Sequence, residues 1–299
     1  MDFRTLEVDG PDRRYRLCYT TFGEPDAGRA IICVHGLTRN GRDFDALAKA
    51  LADRAFVVCP DVIGRGRSEW LDDPSAYAVP TYAGHMLQLI QHLGVLEVDW
   101  IGTSMGGLIG MGISAMEDNP IQRLVLNDVG PSIPKAALER IGAYLSLELV
   151  FDSLAELEAH LRQIHAPFGP LSDQQWAHLA EHSASRLADS RFVLSYDPKI
   201  AEPFKTGDPI EDLDLWALWD EIRCPTLALR GADSDLLLPD TAGAMTERGP
   251  KAELVAFDGV GHAPALMDPA QIEVVKAWLF GTDARHEADA RHGADARQD

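Results

Sequence analysis

The segment Trp100-Ile101-Gly102-Thr103-Ser104-Met105-Gly106-Gly107 sets a serine between two glycines, directly after an apolar run and directly before a helix-like one. A strand that turns sharply into a helix lifts such a serine clear of the sheet, and the glycines let the two backbones approach around it. A hydroxyl is a weak nucleophile at neutral pH, so the chemistry needs a base and an acid that fixes the base's tautomer. His262, in Gly259-Val260-Gly261-His262-Ala263-Pro264, lies on a loop after the strand-like Glu253 to Phe257 and is the candidate base. Three aspartates follow apolar runs: Asp128, Asp233 and Asp235. Asp235 is the expected acid, because the loop turns there into the apolar Leu236-Leu237-Leu238 and should carry the carboxylate inward. Asp233 is second, since it serves equally well as a turn residue, and Asp128 is third.

Acyl transfer through a serine also needs two N–H donors for the oxyanion. The elbow supplies Met105, and the tight His35-Gly36-Leu37-Thr38-Arg39-Asn40 turn offers Leu37. His35 is then structural. The glycine loop Asp61-Val62-Ile63-Gly64-Arg65-Gly66-Arg67-Ser68 lacks the lysine and spacing of a phosphate-binding loop and reads as packing beside the site.

Positioning these residues requires a particular framework. Phe3 to Val8 and Tyr15 to Thr20 alternate apolar and polar around Gly10-Pro11-Asp12, the pattern of a hairpin. Short continuous apolar runs follow at Ala30–Val34, Phe56–Cys59, Asp99–Ile101, Leu124–Leu126 and Thr226–Leu229, which fits strands buried on both faces. Helix-like stretches at Phe44–Asp53, Thr81–Leu93 and Met105–Met116 alternate with them, predicting an α/β fold with a mostly parallel sheet flanked by helices. Beyond Val129-Gly130-Pro131 the strand signal stops, and helical stretches such as Ala137–Phe151 and Leu154–His165 take over until Pro225. The expected organisation is an α/β core over 1–130 and 220–281, a helical cap inserted at 131–219, and a tail at 282–299 too polar to fold.

Composition narrows the partners. A chain of 299 residues with 46% hydrophobic residues buries a large core without needing disulfide, metal or cofactor. The net charge of −20 argues against nucleic acid, whose backbone needs basic patches. No apolar run reaches membrane-spanning length, and Met1 to Gly10 lacks a signal-like pattern, so a cytoplasmic location is expected. Cys18, Cys33, Cys59 and Cys224 are scattered and read as reduced thiols, with no zinc site. His286 and His292 in the tail sit six apart, on different helix faces, and do not suggest a metal either. The sequence says nothing of oligomeric state.

Taken in order, the His35-Gly36 turn, the Asp61–Ser68 loop, the Ser104 elbow, the Gly231–Asp235 loop and Gly261-His262 resemble the α/β-hydrolase superfamily, from about Phe3 to Phe280. The resemblance implies the α/β-hydrolase fold and a serine-histidine-aspartate triad. Serine at the elbow departs from dehalogenases and epoxide hydrolases, which use aspartate there. Leu37-Thr38-Arg39-Asn40 departs from the Gly-Gly-Pro-Gly of proline iminopeptidases, and Ala263 from the tryptophan of carbon–carbon hydrolases. What remains is a hydrolase of small carboxylic esters or lactones. Carbon–carbon cleavage, perhydrolysis and a ligand-binding receptor are the alternatives. Cap aromatics (Tyr144, Phe168, Trp176, Phe192, Tyr196, Trp216, Trp219) suggest an apolar substrate pocket, with Tyr144, Trp176 and Trp216 as candidate contacts and Arg39 as a candidate partner for a substrate carboxylate.

Overall fold

The apolar runs pair into one eight-stranded sheet. A computed structural model describes residues 1–145, 147, 149–205 and 209–281; the expectation for the 282–299 tail lies outside the described residues. The strands are β1 (Asp2–Asp9), β2 (Arg14–Phe22), β3 (Ala30–Val34), β4 (Phe56–Asp61), β5 (Val98–Thr103), β6 (Ile121–Asn127), β7 (Thr226–Gly231) and β8 (Glu253–Phe257). Their order across the sheet is β1-β2-β4-β3-β5-β6-β7-β8. The hairpin β1–β2 is antiparallel, and β2 also runs antiparallel to β4; every other pairing is parallel.

Continuous apolar strands make sense because both faces are covered. Along β3, Ile32 and Val34 join one buried cluster with Trp100, Leu126, Met86 and Ile109, while Ile31 and Cys33 join another with Leu47, Leu51, Val125 and Leu279. The first face is covered by α2 (Val79–Leu93) and α3 (Met105–Ser114), the second by α1 (Asp45–Leu51) and the last helix, α9 (Pro269–Phe280). Chain stops are local: Gly94 closes α2 in the left-handed region at φ 70°, and the Asp268 side chain accepts from the Ala270 N–H to open α9.

Between β6 and β7 lie α4 (Lys135–Leu145), α5 (Leu154–Ile164), α6 (Asp173–Ser183) and the single turn α7 (Trp216–Trp219); α8 (Pro239–Met245) follows β7. The sequence predicts only helices here, whereas the structure adds two short ribbons, Ser132–Ile133 with Leu213–Asp214 and Ala184–Arg186 with Phe192–Leu194. The helix expected to reach Phe151 ends at Leu145, and Phe151 bridges Phe192 instead. Strands of two or three residues carry no readable alternation. No helix among the described residues is long and apolar enough to cross a membrane.

The turn from β5 into α3 brings backbones very close together. Ser104 sits at φ 51°, ψ −113°, a conformation that costs a non-glycine residue of order 1–3 kcal/mol. A Cβ on Gly102 would lie 2.3 Å from the Gly106 carbonyl oxygen, and one on Gly106 would lie 2.0 Å from that of Val34. The Trp100 indole N–H donates to the same Gly106 carbonyl at 2.9 Å and pins the helix start to β5. Gly106→Ala therefore forces backbone apart from backbone. We expect it to lower unfolding free energy by at least about 2 kcal/mol in urea titration, against less than about 1 kcal/mol for Gly112→Ala, where the added Cβ meets open space.

Candidate active site

Parallel strands deliver their following loops to one end of the sheet, and the polar residues singled out above gather there. The Ser104 Oγ lies 3.0 Å from His262 Nε2. His262 Nδ1 lies 2.8 Å from Asp128 Oδ2. Asp128 also accepts from the Gly231 N–H at 2.8 Å on Oδ1 and from the Ser234 hydroxyl at 2.5 Å on Oδ2. The carboxylate is fully buried, and no lysine or arginine pairs with it among the described residues.

The expected acid, Asp235, is not at this site. Its carboxylate is 54% exposed and forks onto Arg140 of α4, at 2.6 and 2.8 Å. Leu236 and Leu237 do turn inward, as the apolar run implies, but the residue before them faces out. Asp233 is exposed as well. Asp128 takes the place beside His262 because it follows β6, the neighbour of the Ser104 strand, and its backbone bends back at φ 55°. The 231–235 loop contributes the donors that hold the acid, through Gly231 and Ser234.

Asn127 binds these pieces together. Its carbonyl accepts from the Ser104 N–H at 3.0 Å, and its side-chain amide donates to Thr103 Oγ1 and to the Pro264 carbonyl beside His262. From the segment between β6 and β7, Pro167 accepts the Gly261 N–H at 2.7 Å.

A cavity of about 260 Å³ opens at Ser104. Leu37 and Met105 line it, and neither backbone N–H has an acceptor among the described residues; Met105 opens α3, where no intrahelical acceptor exists. The rest of the wall mixes aliphatic residues such as Ile133, Leu138, Ile141 and Leu236 with three aromatics, Tyr77, Tyr82 and Phe204. None of the seven aromatics named above lines it. Trp176 packs with Phe151, Leu157 and Leu179, and Trp216 lies under the Arg248 guanidinium at 4.5 Å, so both expected contacts are elsewhere. These large rings close the seams of the fold. Arg39 and Tyr144 instead border small spaces of mixed, mostly apolar lining beside the 35–40 turn.

His35 is structural. It accepts the Val62 N–H on Nε2 at 2.9 Å, so Nδ1 carries the proton that goes to the Gly36 carbonyl at 2.7 Å. Burial pushes its pKa down to about 3, which keeps the ring neutral. The Asp61–Ser68 loop offers nothing to a phosphate: the N–H groups of Gly64, Arg65, Gly66, Arg67 and Ser68 all find acceptors within the protein.

Arg65 was not legible as part of the site. Its fully buried guanidinium donates to the carbonyls of Leu37 and Ile63 at 2.8 and 2.9 Å and to the Tyr82 hydroxyl at 2.7 Å, and touches Met105 Sδ at 3.5 Å. It makes no ion pair among the described residues, yet contacts both of the cavity-lining residues, Leu37 and Met105, whose N–H groups lack an acceptor there. Metal-ligand types gather at Asp45, His178 and His182, within 4.8 Å. There both Asp45 oxygens already accept from Arg42, and His178 Nε2 faces the Arg42 carbonyl at 3.0 Å, so the group joins α6 to α1.

Comparison with known proteins agrees with this architecture. The alpha/beta hydrolase fold family matches residues 29–269. A 3-hydroxybutyrate-oligomer hydrolase of Cupriavidus necator is 44% identical over 283 residues, covering 92% of this chain and 97% of that protein. A proline iminopeptidase of Lacticaseibacillus rhamnosus is 25% identical over 91% of this chain and 97% of its own. The crystal structure of an alpha/beta hydrolase from Novosphingobium aromaticivorans superposes with a TM-score of 0.82 at 34% identity, over 94% of this chain and 98% of that one. The chain therefore belongs to the α/β-hydrolase family.

Proposed function

We propose that this protein is a serine hydrolase that cleaves carboxylic esters of short 3-hydroxyalkanoate oligomers, of the 3-hydroxybutyrate kind. The observation that carries the reading is the unbroken hydrogen-bonded line Ser104–His262–Asp128, ending at the mouth of an apolar cavity. The 44% identity to the oligomer hydrolase over nearly the whole of both chains supports the substrate class. The mostly apolar wall suits a methyl-branched acyl chain.

In this reading His262 Nε2 takes the Ser104 proton as Oγ attacks the ester carbonyl. Negative charge develops on the carbonyl oxygen, where the Leu37 and Met105 N–H groups receive it. His262 passes its proton to the departing alkoxide, and Asp128 steadies the imidazolium while the acyl group rests on Ser104. Water, deprotonated by the same imidazole, then releases the acid and restores the serine. Arg65 holds the Leu37 carbonyl and the Met105 side chain, which fixes the two donors in advance and places a positive charge beneath the oxyanion. The segment 131–219 serves as a cap that closes the acyl cavity through Ile133, Leu138 and Ile141. Every step of acyl transfer uses groups of the chain itself, and the partner is a small ester.

Ser104→Ala should fold like the parent by circular dichroism and lose more than about a thousandfold in kcat on a 3-hydroxybutyrate trimer, as removal of a triad member does. Retained turnover in the purified variant would remove Ser104 from the mechanism. Asp128→Asn should lower kcat by about 10⁴, through loss of the correct histidine tautomer, whereas Asp235→Asn should stay within a few-fold of the parent. The reverse ranking in steady-state kinetics would return the acid to the 231–235 loop.

A further inference from the structure

The two sides of Ser104 differ in chemistry. One is the apolar cavity; the other is bounded by Arg39. Arg39 is 5% exposed and its guanidinium forks through Nε and Nη2 onto Asp43 at 2.8 and 2.7 Å, while Nη1 has no acceptor among the described residues. Arg39 borders two small spaces. The first, about 30 Å³, also touches Asp43, Gly36, Thr103, Ala263 and Phe168; the second, about 10 Å³, touches Thr38, Tyr144, His160 and His165. A Cβ built on Gly36 would lie 3.7 Å from Ser104 Cβ and 3.9 Å from Arg39 Cγ, so a single residue's width separates the arginine stem from the serine. His165 stacks on Phe168 at 4.4 Å, and its ring nitrogens make no hydrogen bond among the described residues. Burial, then the charges of Arg39, His160 and His262, hold its pKa well below the usual imidazole range, leaving a neutral donor.

The geometry points to recognition of a free carboxylate on the leaving group, so that the enzyme works from the carboxyl end of its oligomer and releases one 3-hydroxy acid per turnover. The inference rests on the ester-hydrolase reading above. In such an oligomer only two carbon atoms, the carbinol and the methylene, separate the last ester oxygen from the carboxyl carbon. With the scissile carbonyl at Ser104 and the acyl chain in the apolar cavity, that terminal carboxylate falls on the Arg39 side. Among the described residues Arg39 is the one lysine or arginine bordering either space, and a guanidinium edge left open by Asp43 matches a carboxylate. The first space has room for a water, which a carboxylate oxygen would displace; the second is at the limit for one. Asp43 pairs Nε and Nη2, so Nη1 is the edge of the guanidinium left for an anionic substrate end. The bond changes balance without any co-reactant: the ester C–O bond breaks as the Ser104 acyl bond forms, the serine proton leaves with the hydroxy acid, and water completes the hydrolysis.

The test uses a 3-hydroxybutyrate tetramer deuterated in its carboxyl-terminal unit, followed by mass spectrometry, beside the same tetramer as its terminal methyl ester. The expected first products are labelled monomer and unlabelled trimer, with kcat/KM for the free acid at least about tenfold above the methyl ester. In Arg39→Gln and Arg39→Lys the ratio of free acid to methyl ester should fall, chiefly through KM, and further in the glutamine variant. The labelling arm needs no variant, so it stands even where loss of the Asp43 partner harms folding. Label retained in a dimer or trimer, or equal rates for acid and methyl ester in the parent, overturns the carboxyl-end inference and leaves ester hydrolysis standing. No cleavage of either tetramer, with Ser104-dependent turnover of simple esters intact, defeats the oligomer reading and the inference together.

Discussion

Asp128 is a carboxylate taken wholly out of water with no lysine or arginine to pair it among the described residues, and much of the site's construction answers to that fact. Burying an unpaired charge costs several kcal/mol unless hydrogen bonds replace the lost hydration. Three donors do so here: the Gly231 N–H, the Ser234 hydroxyl and His262 Nδ1. They come from the ends of β7 and β8, while Asp128 ends β6 and Ser104 ends β5. Satisfying one carboxylate thus ties together four consecutive strand ends, and the histidine is oriented toward the serine as a by-product of solvating its neighbour.

A second buried charge works from below. Arg65 is as inaccessible as Asp128 and likewise lacks an ion-pair partner among the described residues, but its hydrogen bonds run to neutral groups on the 35–40 turn, the 61–68 loop and α2. An uncompensated guanidinium is an expensive way to hold loops together. Its position against Leu37 and Met105 gives the expense a return in the proposed chemistry, where the charge to be stabilised appears at those two N–H groups. The strained Ser104 backbone belongs to the same design: close contact of Gly106 with Val34 leaves the chain no relaxed alternative at the elbow.

How far the sequence anticipated this depends on the length scale of the signal. The core strands were legible because burial on both faces writes uninterrupted apolar runs, and Ser104 and His262 because their glycine neighbours mark loops that must turn tightly. Asp128 was misjudged because its inward course depends on a left-handed backbone and on hydrogen bonds from residues about a hundred positions away, neither of which leaves a local trace. Asp235 looked inward because its apolar neighbours are inward; adjacent side chains need not share a direction. The short ribbons between β6 and β7 were invisible for want of period, and the cavity lining was assigned to the wrong aromatics, since Tyr77, Tyr82 and Phe204 share the wall with aliphatic residues while Trp176 and Trp216 pack elsewhere.

The central claim is that Ser104 becomes the acyl carrier through a line of hydrogen bonds that ends at Asp128. Intact-mass and peptide mass spectrometry after reaction with a fluorophosphonate probe tests it most directly, because labelling reads nucleophile activation without assuming a substrate. The account predicts one adduct, on the Ser104 peptide, formed at the parent rate in Asp235→Asn and far more slowly in Asp128→Asn. Labelling at another residue, or equal rates in Asp128→Asn and the parent, would contradict it.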